Sequence, residues 1–353
     1  MEKLNKIFYW LLIFVPISLF CGIFTDSTTL TFVTSVIAII PLAAIIGFAT
    51  REIAIQTNPT WGGLINATFG NIIELIIAVL ALSKGLVTVV QASLIGSIIG
   101  NILLLIGLSI FVGGIRFKEQ KFNTISAGIS STMLIIAVAG LAIPTIYSVT
   151  THATADQIHV LSDAVAIVLA VIYIAGLLFA LFTHKHLFDA SDEIKALRKK
   201  SKLNIKKAVL ILLIGIVFVA LESEFLVKTV EHAAQSIGLT ETFIGIIIIA
   251  IITNIAEKST AIHFAIQNNL DISLEIGLSS AIQIALFVVP VLVFISTIFG
   301  YGFSLVFSVF EVAAVIFAVM IVNYLSSDGR CNWLEGAQLL SLYLIIAIVF
   351  FFI

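Results

Sequence analysis

Long apolar runs separated by short polar links dominate the chain. Eleven runs are long enough to be predicted as membrane helices, at roughly 8–25, 30–50, 62–83, 87–112, 123–146, 160–183, 205–227, 239–266, 272–298, 301–325 and 335–353. A span needs about 20 mainly apolar residues. Links as short as Thr25–Thr29 and Lys84–Leu86 predict antiparallel neighbours. The composition agrees: 60% of the 353 residues are hydrophobic, 11% are charged, and the mean hydropathy is +1.20. Soluble domains carry roughly 25% charged residues. The expected fold class is therefore an all-α polytopic membrane protein with eleven transmembrane helices. Lys3 and Lys6 before an apolar run resemble a signal peptide, but Leu11–Phe24 lacks a small-residue cleavage site. The first run is read as a retained helix.

The polar positions inside the spans carry more information. Trp61–Ala81, WGGLINATFGNIIELIIAVLA, holds Asn66, Asn71 and Glu74. Asn71 and Glu74 are three residues apart, so a helix would place them on one face. A carboxylate in hydrocarbon costs several kcal/mol unless compensated, and such residues are functional by default. Sliding the chain by 183 residues superimposes the stretch on a second one. Gly62 meets Gly245, Asn71 meets Asn254, Glu74 meets Glu257 and Ser97 meets Ser280. NIIE thus recurs as NIAE. The third span runs inward to outward and the eighth the reverse, so the repeats are predicted to be inverted, with the first helix extra. Inverted repeats around a midplane site are the architecture of many secondary transporters. The expected division is a leading helix at 1–27, five-helix repeats at 28–184 and 205–353, and a connector at 185–204.

Charge then orients the chain. With the N-terminus in the cytoplasm, 15 of the 18 Lys and Arg residues fall on the cytoplasmic side, Lys84, Lys228 and Lys258 being the exceptions. This bias predicts a multi-pass plasma-membrane protein with the C-terminus outside. The connector, DASDEIKALRKKSKLNIKK, is acidic then basic, which suits a short interfacial helix or a plain solvated link. It has no Ca²⁺-loop pattern.

Glu74 and Glu257 are the strongest candidates for chemistry and the expected metal ligands. Two carboxylates, with the amide oxygens of Asn71 and Asn254, make a hard oxygen site of the kind Ca²⁺ takes. Without a cation, close carboxylates in a low dielectric share protons. Cation and proton would then compete for one set of oxygens. Gly70, with Gly62, Gly63 and Gly245, permits either backbone opening that bares carbonyls or close helix packing. Ser97, Asn101, Ser279, Ser280 and Gln283 form a second polar band, which either lines the site or bonds between helices; the repeat favours Ser97 and Ser280 for the site. Glu52 and Glu231 sit at span ends, where a vestibule or a solvated helix end explains them equally. Glu222, Glu224 and Glu311 could line a proton route or pair with Lys228 or Lys258. No zinc spacing, HExxH or nucleophile–base set exists. No resident cofactor, enzyme activity or nucleic-acid partner is expected. The expected partners are calcium, protons and the lipid bilayer, with a homo-oligomer left open.

These motifs resemble the calcium/cation antiporter superfamily, specifically the bacterial calcium/proton exchangers, over nearly the whole chain. The family carries Gly-Asn-x-x-Glu in each repeat, and the first motif here is Gly70-Asn71-Ile72-Ile73-Glu74. The second, Thr253-Asn254-Ile255-Ala256-Glu257, has threonine where glycine is usual, and a β-branched residue should restrain the backbone. The resemblance implies that Glu74 and Glu257 bind calcium and exchange protons, with polar ligation or gating near Asn71, Asn254, Ser97 and Ser280. It also places Glu52 and Glu231 in vestibule segments. The resulting expectation is a calcium/proton antiporter that exports cytosolic calcium by alternating access. A sodium/calcium exchanger or a broader antiporter that also takes Mn²⁺ is the alternative. A channel would need a continuous pore, which a paired acidic core in inverted repeats disfavours.

Overall fold

The computed structural model describes residues 2–57, 59–151, 153–184 and 203–353. The connector expected at 185–204 lies almost wholly outside them. Among the described residues the chain is all-α apart from one small sheet. In chain order the elements are α1 (Ile7–Phe24), α2 (Thr28–Gln56), α3 (Pro59–Phe69), α4 (Ile72–Ser83) and α5 (Val87–Phe117). Strand β1 (Glu119–Lys121) follows, then α6 (Thr124–Thr151), α7 (Ala155–Thr183) and α8 (Ile205–Ile237). Next come α9 (Glu241–Thr253), α10 (Ile255–Ile266), α11 (Leu270–Phe299) and α12 (Val309–Leu325). Strand β2 (Arg330–Asn332) and α13 (Trp333–Phe352) close the chain. Nine apolar helices are long enough to cross a membrane among the described residues, or ten if the bent pair α9–α10 is one span. The chain is a multi-pass membrane protein. The stretch expected as a span at 301–325 differs: α12 has 17 residues and starts only at Val309.

The helices gather into two compact units, Met1–Lys84 with Ala175–Glu241, and Gly85–Ile174 with Thr242–Ile353. Each unit draws on both halves of the sequence. In the first unit α2 and α8 pack along their lengths. The buried residues of α8 recur at Ala208, Leu212, Gly215, Val219, Glu222, Leu226, Val230 and Ala233. That three-and-four spacing makes one continuous stripe. A Cβ on Gly215 would lie 2.9 Å from Ile46 of α2. Farther along α8, α1 closes in, with a Cβ on Gly22 falling 2.6 Å from the Phe225 ring.

In the second unit α5 is the central helix. Ile95, Ile98, Ile99, Ile102, Leu103, Leu105 and Ile106 are all buried, so it has no lipid-facing side over these turns. Such closeness needs small residues where backbones meet. A Cβ on Gly96 would strike the Ile246 carbonyl of α9, and one on Gly245 would lie 2.6 Å from the Ala92 Cβ. Gly245 therefore serves packing, and so do Gly62 and Gly63, whose added Cβ atoms would meet the Ala54 carbonyl at 2.6 Å and Leu181 at 2.5 Å. Of the two roles open to these glycines, the structure selects packing over backbone opening.

The stretch 301–308 is extended and buried, with Phe303, Leu305 and Phe307 all pointing inward at period two. Side chains replace the missing helical ladder. The N–H groups of Phe303, Leu305 and Phe307 donate to Ser296 Oγ (2.7 Å), Ser162 Oγ (3.0 Å) and Thr145 Oγ1 (3.0 Å). Gln91 Nε2 donates to the carbonyls of Ser304 (3.4 Å) and Val306 (2.7 Å). Non-helical backbone at membrane depth persists only where it is satisfied in this way. Glu311, expected within a span, instead closes a capping box at the start of α12: its carboxylate accepts from the Ser308 N–H at 2.8 Å.

The Gly96 contact gives a clean pair of variants. Gly96→Ala is expected to lower stability by about 1–3 kcal/mol through overpacking. Gly128→Ala, where an added Cβ meets nothing within 4 Å, should not. Thermal unfolding of both in detergent decides; equal melting temperatures would mean that the α5–α9 approach is looser than described.

Candidate cation site

Each unit holds one of the two motifs. In the first, α3 stops at Phe69 and α4 starts at Ile72, with Asn71 at φ −109°, ψ 31° between them. Gly70 keeps its bond to the Asn66 carbonyl (2.8 Å), and the Asn71 carbonyl accepts the first α4 bond from Leu75 (3.2 Å). Asn71 is 3% exposed and its side chain does not cap α4. Glu74, 8% exposed, falls in the first turn of α4. The break therefore does electrostatic work. It turns a mid-span carboxylate into one at a helix N-terminus, where the macrodipole favours negative charge.

The second motif repeats the construction. Asn254 has φ −98°, ψ 13° between α9 and α10, the two helices bend by 59°, and Glu257 lies in the first turn of α10. The bounds match the first motif under the same shift: 72–83 plus 183 gives 255–266, which are the ends of α10. A second pair also matches, since the π-helical segment Gly100–Leu105 in α5 corresponds to Ile284–Val288 in α11 within one residue. Threonine at 253 does not prevent the break. It ends α9 with its hydroxyl accepting from Asn254 Nδ2 at 3.0 Å.

Around Asn254 a buried polar network closes within the second unit. Asn254 Nδ2 also reaches Ser97 Oγ (3.3 Å) and the Ala250 carbonyl (3.1 Å). Asn101 Nδ2 donates to Asn254 Oδ1 (3.2 Å) and to Ser280 Oγ (2.8 Å). Asn101 thus ties α5, α9 and α11 together. Its own Oδ1 is buried with no partner, a state that costs about 1–3 kcal/mol unless a donor or cation is met. Its importance was hard to see in the sequence because residue 101 plus 183 is Ile284, so the repeat offers no polar mate. Gln283 is buried on α11, one turn past Ser280.

The remaining expected residues separate. Glu52 is buried within α2, 8% exposed, rather than at a solvated helix end. Glu231 is exposed on α8. Glu222 is fully buried beside Ser18 of α1, while Glu224 and Lys228 are exposed. Among the described residues no group of three or more His, Cys, Asp or Glu side chains gathers. The donors on offer in the second unit are one carboxylate, amide and hydroxyl oxygens, and carbonyls near a helix break, all hard oxygen ligands.

The family model for the sodium/calcium exchanger protein matches residues 27–182 and again 207–352. The chain belongs to the sodium/calcium exchanger family. Within it, a protein of Aphanothece halophytica named Ca(2+)/H(+) antiporter is 43% identical over 362 residues, covering 99% of this chain and 97% of that protein. The Bacillus subtilis Ca(2+)/H(+) antiporter ChaA is 40% identical, with 99% of both chains covered. The solved structure of native YfkE aligns with a TM-score of 0.85 at 38% identity, covering 98% of this chain and all of that one. An H+/Ca2+ exchanger CAX structure, at 15% identity and a TM-score of 0.73, shares the fold.

Because Asn101 bridges Asn254 and Ser280, their contributions should not add. A double-mutant cycle of Asn101→Ala with Ser280→Ala, read by unfolding in detergent, is expected to give a coupling energy of about 0.5–3 kcal/mol. Strict additivity would show that the 2.8 Å contact contributes nothing.

Proposed function

We propose that this exchanger-family protein is a calcium/proton antiporter, a secondary active transporter that expels calcium by alternating access. The observation that carries the reading is the pair of matched helix breaks, each at an asparagine with a glutamate in the next turn. Relatives at 40–43% identity over the whole chain bear the name Ca(2+)/H(+) antiporter. The sodium/calcium exchanger NCX_Mj structures are similar at 16% identity and TM-scores of 0.51–0.53, a likeness of fold only. Proton coupling is therefore the better supported of the two readings.

In this reading Glu74 and Glu257 are the carboxylates that hold calcium, and they take protons when it leaves. Asn71, Asn254, Asn101, Ser97 and Ser280 supply or orient the remaining oxygens. Gly70 and Thr253 support the two breaks. Glu52, Glu231 and Gln283 act on the approach to the site, not at it. Mn²⁺ shares the oxygen preference and is the alternative cargo.

The cytoplasmic N-terminus rests on the charge bias of the sequence, and the eleven-span count on a parity argument as well. Strands β1 and β2 pair antiparallel, with Glu119 opposite Asn332 and Lys121 opposite Arg330. Two water-exposed strands can pair only on one side of a membrane, so an even number of spans separates them. The helices between are α6, α7, α8, the bent pair α9–α10, α11 and α12, which make six. Counting only one of the bent pair and α12 as a span would break the parity. The two stretches matched by the family model support the two-repeat division in the same way.

Glu74→Gln and Glu257→Gln each keep size and one oxygen but remove charge and proton. Each is expected to lose nearly all calcium uptake driven by a pH gradient in vesicles while still inserting normally. Wild-type uptake by either would remove that residue from the site. For the unmodified protein, calorimetry should show calcium affinity falling as pH drops from 8 to 5, since protons occupy the oxygens calcium needs. Constant affinity over that range would contradict competition.

A further inference from the structure

Lys258 follows Glu257 directly, and nothing above gives it a task. It is 6% exposed within an apolar helix pair. A lysine stem is long enough to carry its ammonium to water, and one near a span end normally does so. This one turns inward. Its Nζ donates to the Ala250 carbonyl at 3.3 Å, eight residues back and across the helix break.

The identity of that acceptor is informative. In an unbroken helix the Ala250 carbonyl would accept from the Asn254 N–H. Here the Asn254 N–H is directed to the Ile252 carbonyl instead. The Ala250 oxygen is taken by two side-chain donors, Asn254 Nδ2 and Lys258 Nζ. A carbonyl beside a helix break inside a transporter is the kind of oxygen that coordinates a cation. Lys258 therefore places a positive group on an oxygen of that kind, within the polar network of the second motif. Space is provided for it: a Cβ on Gly100 of α5 would lie 3.8 Å from Nζ. The first motif has no counterpart, since 258 minus 183 is 75, and residue 75 is leucine.

We propose that the Lys258 ammonium is a tethered competitor of the transported cation. It holds the Ala250 carbonyl and offsets the negative charge of the second motif while calcium is away, and calcium binding displaces it. The inference rests on reading Asn254 and Glu257 as half of the calcium site. Its consequence is kinetic as well as electrostatic. A resident cation weakens calcium binding, returns to the carbonyl as calcium departs, and so speeds release. The device is one-sided, acting on the second motif alone.

A purely structural lysine predicts the opposite sign for its removal. If Lys258 only satisfied a stray carbonyl, Lys258→Met would loosen the break and weaken calcium binding. If it competes, Lys258→Met should bind calcium about tenfold or more tightly, because a nearby like charge has gone. The test is calcium calorimetry on purified full-length protein at one pH, with initial transport rates in vesicles. Lys258→Met is expected to lower both the calcium Kd and the transport KM and to slow turnover at saturating calcium; Lys258→Arg should stay near wild type. In Lys258→Ala, added methylammonium should compete with calcium, whereas wild type should not respond. Calcium affinity equal to or weaker than wild type in Lys258→Met overturns the proposal. If that variant does not fold, absence of methylammonium competition in Lys258→Ala or Lys258→Gln overturns it equally. Glu257→Gln separates the two claims. Loss of binding there, with Lys258→Met unchanged, defeats the lysine inference alone, while retained binding in Glu257→Gln defeats the site reading itself.

Discussion

Backbone polar groups cannot go unpaired in hydrocarbon, and that constraint bears on two departures from a plain helix among the described residues. Each of the two comes with its own substitute partners. The extended stretch 301–308 is held by three hydroxyls and the Gln91 amide. The break at Asn254 is held by its own amide, the Thr253 hydroxyl and the Lys258 ammonium. Breaks are thus costly to build, and the two that carry Asn-x-x-Glu give something in return. Each places a carboxylate in the first turn of a helix, and at the second the Ala250 carbonyl accepts from two side chains. In the proposed function a cation and a proton both use such oxygens.

The same constraint explains what was legible in the sequence. Span positions read well because hydrophobic length is a one-dimensional property; α1 to α11 and α13 fall close to the expected runs. The motifs stood out because an acid inside a span has few bland explanations, and a helix break falls at each. The 183-residue shift found the pairs 71/254, 74/257 and 97/280, and the helix bounds around the first two pairs match under it. Other features are three-dimensional and left little trace. Asn101 has no repeat mate, and its role depends on bonds to α9 and α11. The hydroxyls at Thr145, Ser162 and Ser296 look like ordinary small polar residues until the unwound 303–307 backbone is seen against them. The expected span at 301–325 misreads for that reason: hydropathy reports burial, and this segment is buried without being helical.

The glycines teach a related point. The sequence left opening and close packing both open for them; Gly62, Gly63 and Gly245 mark close approaches, while Gly70 lies with Asn71 in the first break. Thr253 likewise does not stiffen α9 through the break. Its hydroxyl joins the network that stabilises it. The two motifs are therefore alike in where the following helix begins, but only the second bends sharply, and their side chains differ, with Thr253 and Lys258 on one side and Gly70 and Leu75 on the other. If the motifs are the two halves of the proposed site, that asymmetry would let them release calcium differently.

The central claim is that calcium and protons move through the protein in opposite directions because they compete for the same oxygens. Simultaneous recording of calcium and proton fluxes in sodium-free vesicles containing only this protein tests it most directly. The account predicts calcium uptake that begins only when a proton gradient is imposed, is matched in time by proton counterflow, and stops on adding a protonophore. Calcium uptake without proton counterflow, or uptake that requires sodium, would contradict it.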